Sequence, residues 1–328
     1  MIKLDKKNKE ILYYLDLNSR KTNSQISKKV GLSEQVVGYR IKKLMKEEVI
    51  KEFITFLNPA RIGFTHFKVY MRLQNLSSEI EKAFIDSLVK NPYSFWVVSC
   101  RGKWDIISSF FAKDVKKFDR VFRNILNKYD QYIAQRNVVA VEEAPSFTRG
   151  YLLPNVERKE FEYGGIPEII KINREDILIL SKLSQNSRIS LLELSKYLKM
   201  TSEGVRQKIK RLELLKIIQS YGIILNMKKI EYEHYLTSIT LNKLDNVMWK
   251  KLSEFVRTSK NILFMPRCIG NHDIDFEIEV KNNEEFNEIM NTFRKEFGVF
   301  VRDFESNIIV KQHKFNYFPM GEELLKSI

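Results

Sequence analysis

The chain is written twice. Asn18-Ser19-Arg20 returns as Asn186-Ser187-Arg188, Arg40-Ile41-Lys42-Lys43-Leu44 as Lys208-Ile209-Lys210-Arg211-Leu212, and Leu57-Asn58 as Leu225-Asn226. Cys100-Arg101-Gly102-Lys103-Trp104-Asp105 returns as Cys268-Ile269-Gly270-Asn271-His272-Asp273, always at the same shift (186 − 18 = 168). A register held from residue 18 to residue 105 means that one folded unit was duplicated whole. The period is too long for a solenoid, and each copy is large enough to bury its own core.

Charge narrows what a unit can do. The net charge is +15, and it is uneven. Residues 1–60 hold 13 Lys/Arg against 7 Asp/Glu, and residues 170–229 hold 13 against 5. A lysine-rich genome raises charge everywhere, but does not put the excess at the same place in both copies. A localised basic excess is the footprint of a polyanion, and nucleic acid is the expected one. Two cysteines, Cys100 and Cys268, make no disulfide framework and no metal cluster; at equivalent strand ends they read as small core residues. The start of the chain has no apolar signal core and no stretch nears the ~20 apolar residues of a membrane span. A soluble cytoplasmic protein is expected.

The basic segments read as three short helices each. Asp5 and Asn173 are candidate caps of the first helix, with Ile11, Leu12, Leu15 and Ile179, Leu180, Leu183 inward. The second helix opens on Thr22-x-x-Gln25 and Ser190-x-x-Glu193, both capping-box patterns. It ends on Gly31 in the first copy, where glycine permits a left-handed turn, and on Lys199 in the second, at a small backbone cost. The third helix starts after Ser33 or Thr201 and turns Val37, Ile41, Leu44 and Val205, Ile209, Leu212 inward. Outward lie Glu34, Gln35, Gly38, Tyr39 and Lys42 in one copy, and Ser202, Glu203, Arg206, Gln207 and Lys210 in the other. Two helices joined by a tight turn, the second carrying long polar side chains, form a helix-turn-helix. Arg and Lys suit guanine O6/N7, Gln suits adenine N6/N7, and Glu accepts from cytosine N4. The candidate DNA-binding set is Ser33, Glu34, Gln35, Tyr39, Arg40, Lys42, Lys43, Thr201, Ser202, Glu203, Arg206, Gln207 and Lys210.

After each basic segment come β-rich and helical runs. Strands are expected over 67–73, 95–99, 106–111 and 137–141, helices over 78–89 and 115–126, and the second copy repeats the order. With Leu4-Asp5, Asn18-Ser19-Arg20, Leu32-Ser33, Arg40-Ile41-Lys42-Lys43-Leu44, Val49-Ile50, Leu57-Asn58 and Ile62-Gly63, the chain resembles the Lrp/AsnC regulators twice over. It departs from the family at Glu48 and Lys216, where a small turn residue is usual. The resemblance implies an α+β protein: a tandem repeat of a winged-type helix-turn-helix domain followed by a βαββαβ ferredoxin-like domain that senses ligands and oligomerises. We expect domains at 1–60, 61–154, 171–230 and 231–328, with a linker at 155–170 containing Gly164-Gly165 and Pro167. Each sheet is expected to be open, with one face covered by helices.

The family's effector loop falls on Gly102, Trp104, Asp105 and on Gly270, His272, Asp273. An aspartate there can receive the ammonium of an amino-acid-like effector, or bond the backbone of its own turn; Trp104 and His272 differ, which speaks against a shared ligand. The leading expectation is a sequence-specific DNA-binding transcription regulator of Lrp/AsnC type, not an enzyme, with no cofactor. Its partners would be double-stranded DNA, an effector, and a second sensing domain paired within or between chains. One alternative is a siroheme-decarboxylase-like tetrapyrrole enzyme on the same fold. Against it stand only four histidines, His66, His234, His272 and His313, of which His272 alone was placed in a matching loop. A non-specific chromatin-coating protein is the other alternative.

Overall fold

The computed structural model of the protein describes residues 4–165 and 169–326; Pro167 of the expected linker lies outside them. The first half runs α1 (Lys6–Leu17), α2 (Asn23–Val30), α3 (Glu34–Lys46), β1 (Ile50–Leu57), β2 (Thr65–Leu73), α4 (Ser78–Lys90), β3 (Ser94–Arg101), β4 (Ile106–Ala112), α5 (Val115–Tyr129) and β5 (Ile133–Phe147). A short β6 (Glu160–Gly164) leads to α6 (Arg174–Gln185), α7 (Leu191–Leu198), α8 (Ser202–Leu214), β7 (Ile218–Leu225) and α9 (Met227–Ile230). The rest is β8 (Glu233–Leu241), α10 (Asn246–Thr258), β9 (Ile262–Phe264), β10 (Arg267–Ile269), β11 (Ile274–Val280), α11 (Asn283–Phe297), β12 (Val301–Phe315) and α12 (Gly321–Lys326).

The helical units form where capping chemistry and apolar spacing agree. Asp5 accepts the amide of Asn8, and Thr22 and Gln25 cap each other's backbone. In the second unit Ser190 accepts the amide of Glu193, while a reciprocal box stands one helix earlier, at Asn173 and Asp176. The expected inward residues of α1, α3, α6 and α8 are all buried. Burying each such aliphatic chain is worth about 1.5–3 kcal/mol before conformational entropy is counted. Gly31 takes the left-handed turn at φ 65°, and Lys199 is forced into it at φ 51°. Glu48 and Lys216 are also left-handed, at φ 57° and 53°, so those turns keep the geometry that usually favours a smaller residue.

Each helical unit runs on into a strand. These strands, β1 and β7, pair antiparallel with one another. The bonds around them are reciprocal. Asn58 N–H donates to Ile217 O and Asn226 N–H to Val49 O; Ser187 N–H donates to Phe53 O and Ser19 N–H to Tyr221 O. The two hydroxyls of Ser19 and Ser187 meet at 2.6 Å. Arg20 donates across to Ser187 O and Ile189 O, and Arg188 to Ser19 O and Lys21 O. The repeated Asn-Ser-Arg is therefore the seam of the helix-turn-helix pair.

The remaining strands close on themselves. The circuit β5–β2–β4–β3–β12–β8–β11–β10 returns to β5 by antiparallel pairs throughout. An open sandwich was expected from each unit alone. A lone unit would leave β3 and β5 as bare edges, and exchange with the other unit removes them. The two α+β units therefore pair within one chain, through the long last strands β5 and β12. The expected linker is also structured: β6 pairs with β5, burying Phe161 and Tyr163. In the second unit the counterpart of β3 breaks into β9 and β10 at Pro266, which has no N–H to donate.

Buried ion pairs sit inside the barrel, with Lys68 facing Asp275 and, at 3.8 Å, Glu277. Lys68 Nζ on β2 lies 2.9 Å from Asp275 Oδ2 on β11, both fully buried. Tyr70 OH donates to the same oxygen, Ser238 OH to Oδ1, and His272 Nε2 lies 3.1 Å from Oδ1. Burial by itself raises the pKa of Asp275, but Lys68, His272 and Tyr70 outweigh it and hold the carboxyl well below its ordinary range. This contribution to stability is complete above the unfolded carboxylate value near pH 4 and is lost only as pH falls through the lower native value. Lys68→Ala should cost about 3–5 kcal/mol, because it strands a buried carboxylate; Lys68→Met with Asp275→Leu should recover most of that. Denaturant melts of the single and double variants check this, and equal losses in both would refute it.

Candidate nucleic-acid interface and ligand cavity

The third helices of the two units, α3 and α8, present most of the expected side chains to solvent. Ser33, Glu34, Gln35, Tyr39, Lys42 and Lys43 are exposed on or just before α3; Thr201, Glu203, Arg206, Gln207 and Lys210 on α8, with Ser202 half-buried. Ser33 and Thr201 act as caps, accepting the amides of Val36 and Gly204. Arg40 is engaged within its own unit: its guanidinium reaches Asp5 at 2.7 Å and Asn8 at 2.9 Å, tying α3 to α1. In the second unit Lys208 makes the matching tie to Asn173 and Asp176. Glu203 takes both Arg206, at 2.7 and 2.8 Å, and Gln207, at 2.6 Å.

The hairpin residues expected to hold an effector are engaged by the chain itself. Gly102 and Gly270 do have positive φ, 143° and 155°. A Cβ on Gly102 would stand 2.9 Å from Ser306 O, and one on Gly270 2.9 Å from Val138 O, so each hairpin presses on the other unit's last strand. The Asp105 carboxylate accepts the amide of Leu73 and that of Asp273 the amide of Leu241, both at 2.7 Å. Trp104 is buried, donating its indole N–H to Glu305, and His272 belongs to the Asp275 cluster. The polar atoms of these loops thus position the barrel strands.

A cavity of about 540 Å³ lies elsewhere, between β7–α9 and the barrel. Its wall is aromatic, with Phe56, Trp96, Phe147, Phe161, Phe264 and Phe315. Lys51, Arg101, Lys228 and Lys311 line it as well and are exposed. At its base is a buried triad. Arg149 donates to Glu279 through Nε at 2.8 Å and through its terminal nitrogen at 3.0 Å, and to Asp16 on α1 at 2.6 Å. Tyr151 OH also donates to Glu279. Burial opposes ionisation of Glu279, yet Arg149 holds its pKa below the ordinary value, whereas burial prevails at Asp16 and raises it.

The duplication predicts a twin, and the twin is closed. Pro59, Ala60, Phe64, Thr65, His66 and Phe111 are the counterparts of Met227, Lys228, Tyr232, Glu233, His234 and Glu279, yet they bound only about 30 Å³. Where the open site has Glu279, Arg149 and Asp16, the closed one has Phe111, Tyr317 and Ser184. Phe95 stacks on Phe111 at 4.0 Å, and Tyr163 and Tyr317 complete the packing around His66. Burial, and then Lys68, push the His66 pKa well down. His66 and His234 stand at the repeat shift (234 − 66 = 168), a correspondence passed over when only His272 was matched. The shift alone would have shown it. His234 lines the open cavity, its Nε2 buried, without a hydrogen bond and 3.7 Å from Glu277.

A family model described as winged helix-turn-helix DNA-binding matches residues 4–51. An uncharacterized HTH-type transcriptional regulator of Pyrococcus furiosus is 30% identical over 120 residues, which is 79% of that protein and 36% of this chain. A second from the same organism is 25% identical over 146 residues, 97% of its length and 44% of this chain. The chain belongs to the Lrp/AsnC family of HTH-type transcriptional regulators. Over its whole length the fold is that of the siroheme decarboxylase NirDL, with TM-score 0.61 over 98% of this chain and 99% of that one, at 11% identity. This overturns the expectation that the chain is no enzyme, since the same two-unit architecture is that of a decarboxylase. Among the described residues no helix is long and apolar enough to cross a membrane.

The triad fastens the first helical unit to the barrel. Arg149→Ala should leave Asp16 and Glu279 buried without their partner and cost about 3–5 kcal/mol. A melting temperature within error of wild type would show that the triad is not holding α1.

Proposed function

We propose that this DNA-binding Lrp/AsnC-type regulator engages one duplex with both recognition helices and is modulated by a small molecule held in the open cavity. The observation that carries the reading is the reciprocal seam: both readers are exposed, and Ser19, Ser187, Arg20 and Arg188 hold them in one fixed relation. The cavity is placed to act on both. Ile223–Lys228 in its wall follow the second reader, and Arg149 at its base holds α1 of the first. Binding should be strongly salt-dependent, since each phosphate contact contributes about −0.9 to the slope of log affinity against log salt. Lys42→Ala and Lys210→Ala should each weaken binding and flatten that slope by roughly one unit. Fluorescence anisotropy over a salt series is the measurement, and two unchanged slopes would remove those lysines from the interface.

The cavity favours a second reading. Aromatic walls with four exposed cations, Lys51, Arg101, Lys228 and Lys311, suit a flat ligand with several carboxylates, while Arg149 already pairs two of the lining acids, Asp16 and Glu279. NirDL has been solved with an iron-uroporphyrin III analogue. On this reading the chain is a tetrapyrrole decarboxylase: the cations hold the carboxylates and His234 is the proton donor at the wall. Absorbance titration with iron-uroporphyrin III and anaerobic incubation with siroheme test it. Lys311→Glu with Arg101→Glu should weaken tetrapyrrole binding at least tenfold and leave DNA affinity unchanged. Loading that shifts DNA affinity without turnover supports an effector; turnover of siroheme supports the enzyme; no spectral change with either compound removes the tetrapyrrole.

A further inference from the structure

We infer that the two recognition helices read different base sequences at a fixed spacing, so that the duplex selected by one chain is not a palindrome. This rests on the DNA-binding reading above. In a symmetric dimer two identical helices require two identical half-sites. Here the seam keeps the geometry of a twofold pair while the reading faces have diverged. Five equivalent outward positions differ: Glu34 against Ser202, Gln35 against Glu203, Val36 against Gly204, Gly38 against Arg206, and Tyr39 against Gln207.

The differences change the chemistry offered to a base edge. On α3, Val36 and Tyr39 are 40% and 66% exposed, an apolar and aromatic face suited to thymine methyl groups. Position 38 is recessed there. A Cβ on Gly38 would stand 2.9 Å from Asn23 Nδ2, and Asn23 Oδ1 accepts from Arg188 of the other unit at 3.3 Å. On α8 the same position carries Arg206, whose Nε and one terminal nitrogen are fixed by two bonds to Glu203, so that its terminal end is the edge offered outward, while Gln207 donates to the same carboxylate. A planar guanidinium held this way matches guanine O6 and N7, and the amide of Gln207 matches adenine. One half-site is therefore read through thymine methyls, and the other through guanine with a neighbouring adenine.

The spacing cannot relax to make the halves equivalent. Residues 19–21 and 187–189 are cross-bonded, and β1 pairs with β7 along most of its length. Both readers must then be satisfied by one stretch of duplex.

The test is selection from a random duplex library about two helical turns long, using the full chain, Arg206→Ala and Tyr39→Ala. Both side chains are exposed, and melting temperatures confirm that the fold stands. The expected consensus is asymmetric: Arg206→Ala relaxes the guanine-containing half by on the order of tenfold or more and leaves the other intact, while Tyr39→Ala does the reverse. A palindromic consensus, or loss of preference in both halves from either substitution, overturns the inference and leaves DNA binding standing. Tight binding with no consensus also overturns it, in favour of a coating protein. Failure to retain any duplex overturns the DNA reading itself.

Discussion

The buried pair of Lys68 and Asp275 decides which half meets which. The twofold counterpart of Lys68 is Leu236 and that of Asp275 is Ile107, both apolar and both buried. Two first units paired together would set Lys68 against Ile107 without Asp275; two second units would set Asp275 against Leu236 without Lys68, leaving only His272 of its own unit beside it. Either error isolates a charge in the interior, which costs several kcal/mol, whereas the correct pairing is nearly neutral against an apolar pair. The rest follows from that choice. With the barrel closed by unlike halves, β1 and β7 lie side by side, and their pairing brings the Asn-Ser-Arg seams together.

Much of this was legible in the sequence because it is local. The caps at Asp5, Thr22, Ser33, Asn173 and Thr201, the inward faces of α1, α3, α6 and α8, and the left-handed turn at Lys199 each depend on residues within a few positions of one another. The hairpin glycines were legible too. What escaped is non-local. Arg149 finds Glu279 across 130 residues and Asp16 across 133, and neither contact leaves a periodic trace. β5 and β12 run to 15 residues each, longer than their apolar alternation suggested, because parts of them are polar and pair with the other unit rather than with their own core. The cavity was invisible for the same reason: its walls come from stretches scattered along the chain from Asp16 to Phe315.

The open cavity and its closed twin show how a duplicated site is specialised. The closed copy has gained bulk and lost charge: Phe111 where the other has Glu279, Tyr317 where it has Arg149. Aromatic packing gives that half a dry core, while the other keeps a void and a buried ionic triad beside it. An empty apolar volume and buried charges both lower stability. Such features persist where a site is in use, which is why the cavity, rather than the hairpin loops, is the place to look for a ligand.

Joining the two units in one chain has a consequence for how the molecule behaves at low copy number. Dimers held by separate chains dissociate on dilution, and exchange subunits with relatives that share the interface. Here the partner is always present at the effective concentration set by the tether, which for short connections is in the millimolar range. Closure of the barrel is unimolecular, and the two readers stay yoked in a cell holding only a handful of molecules. Inheritance changes as well. A substitution in a symmetric dimer lands on both sides of the axis at once, whereas in this chain it lands on one, so each half can be altered while the other keeps its place.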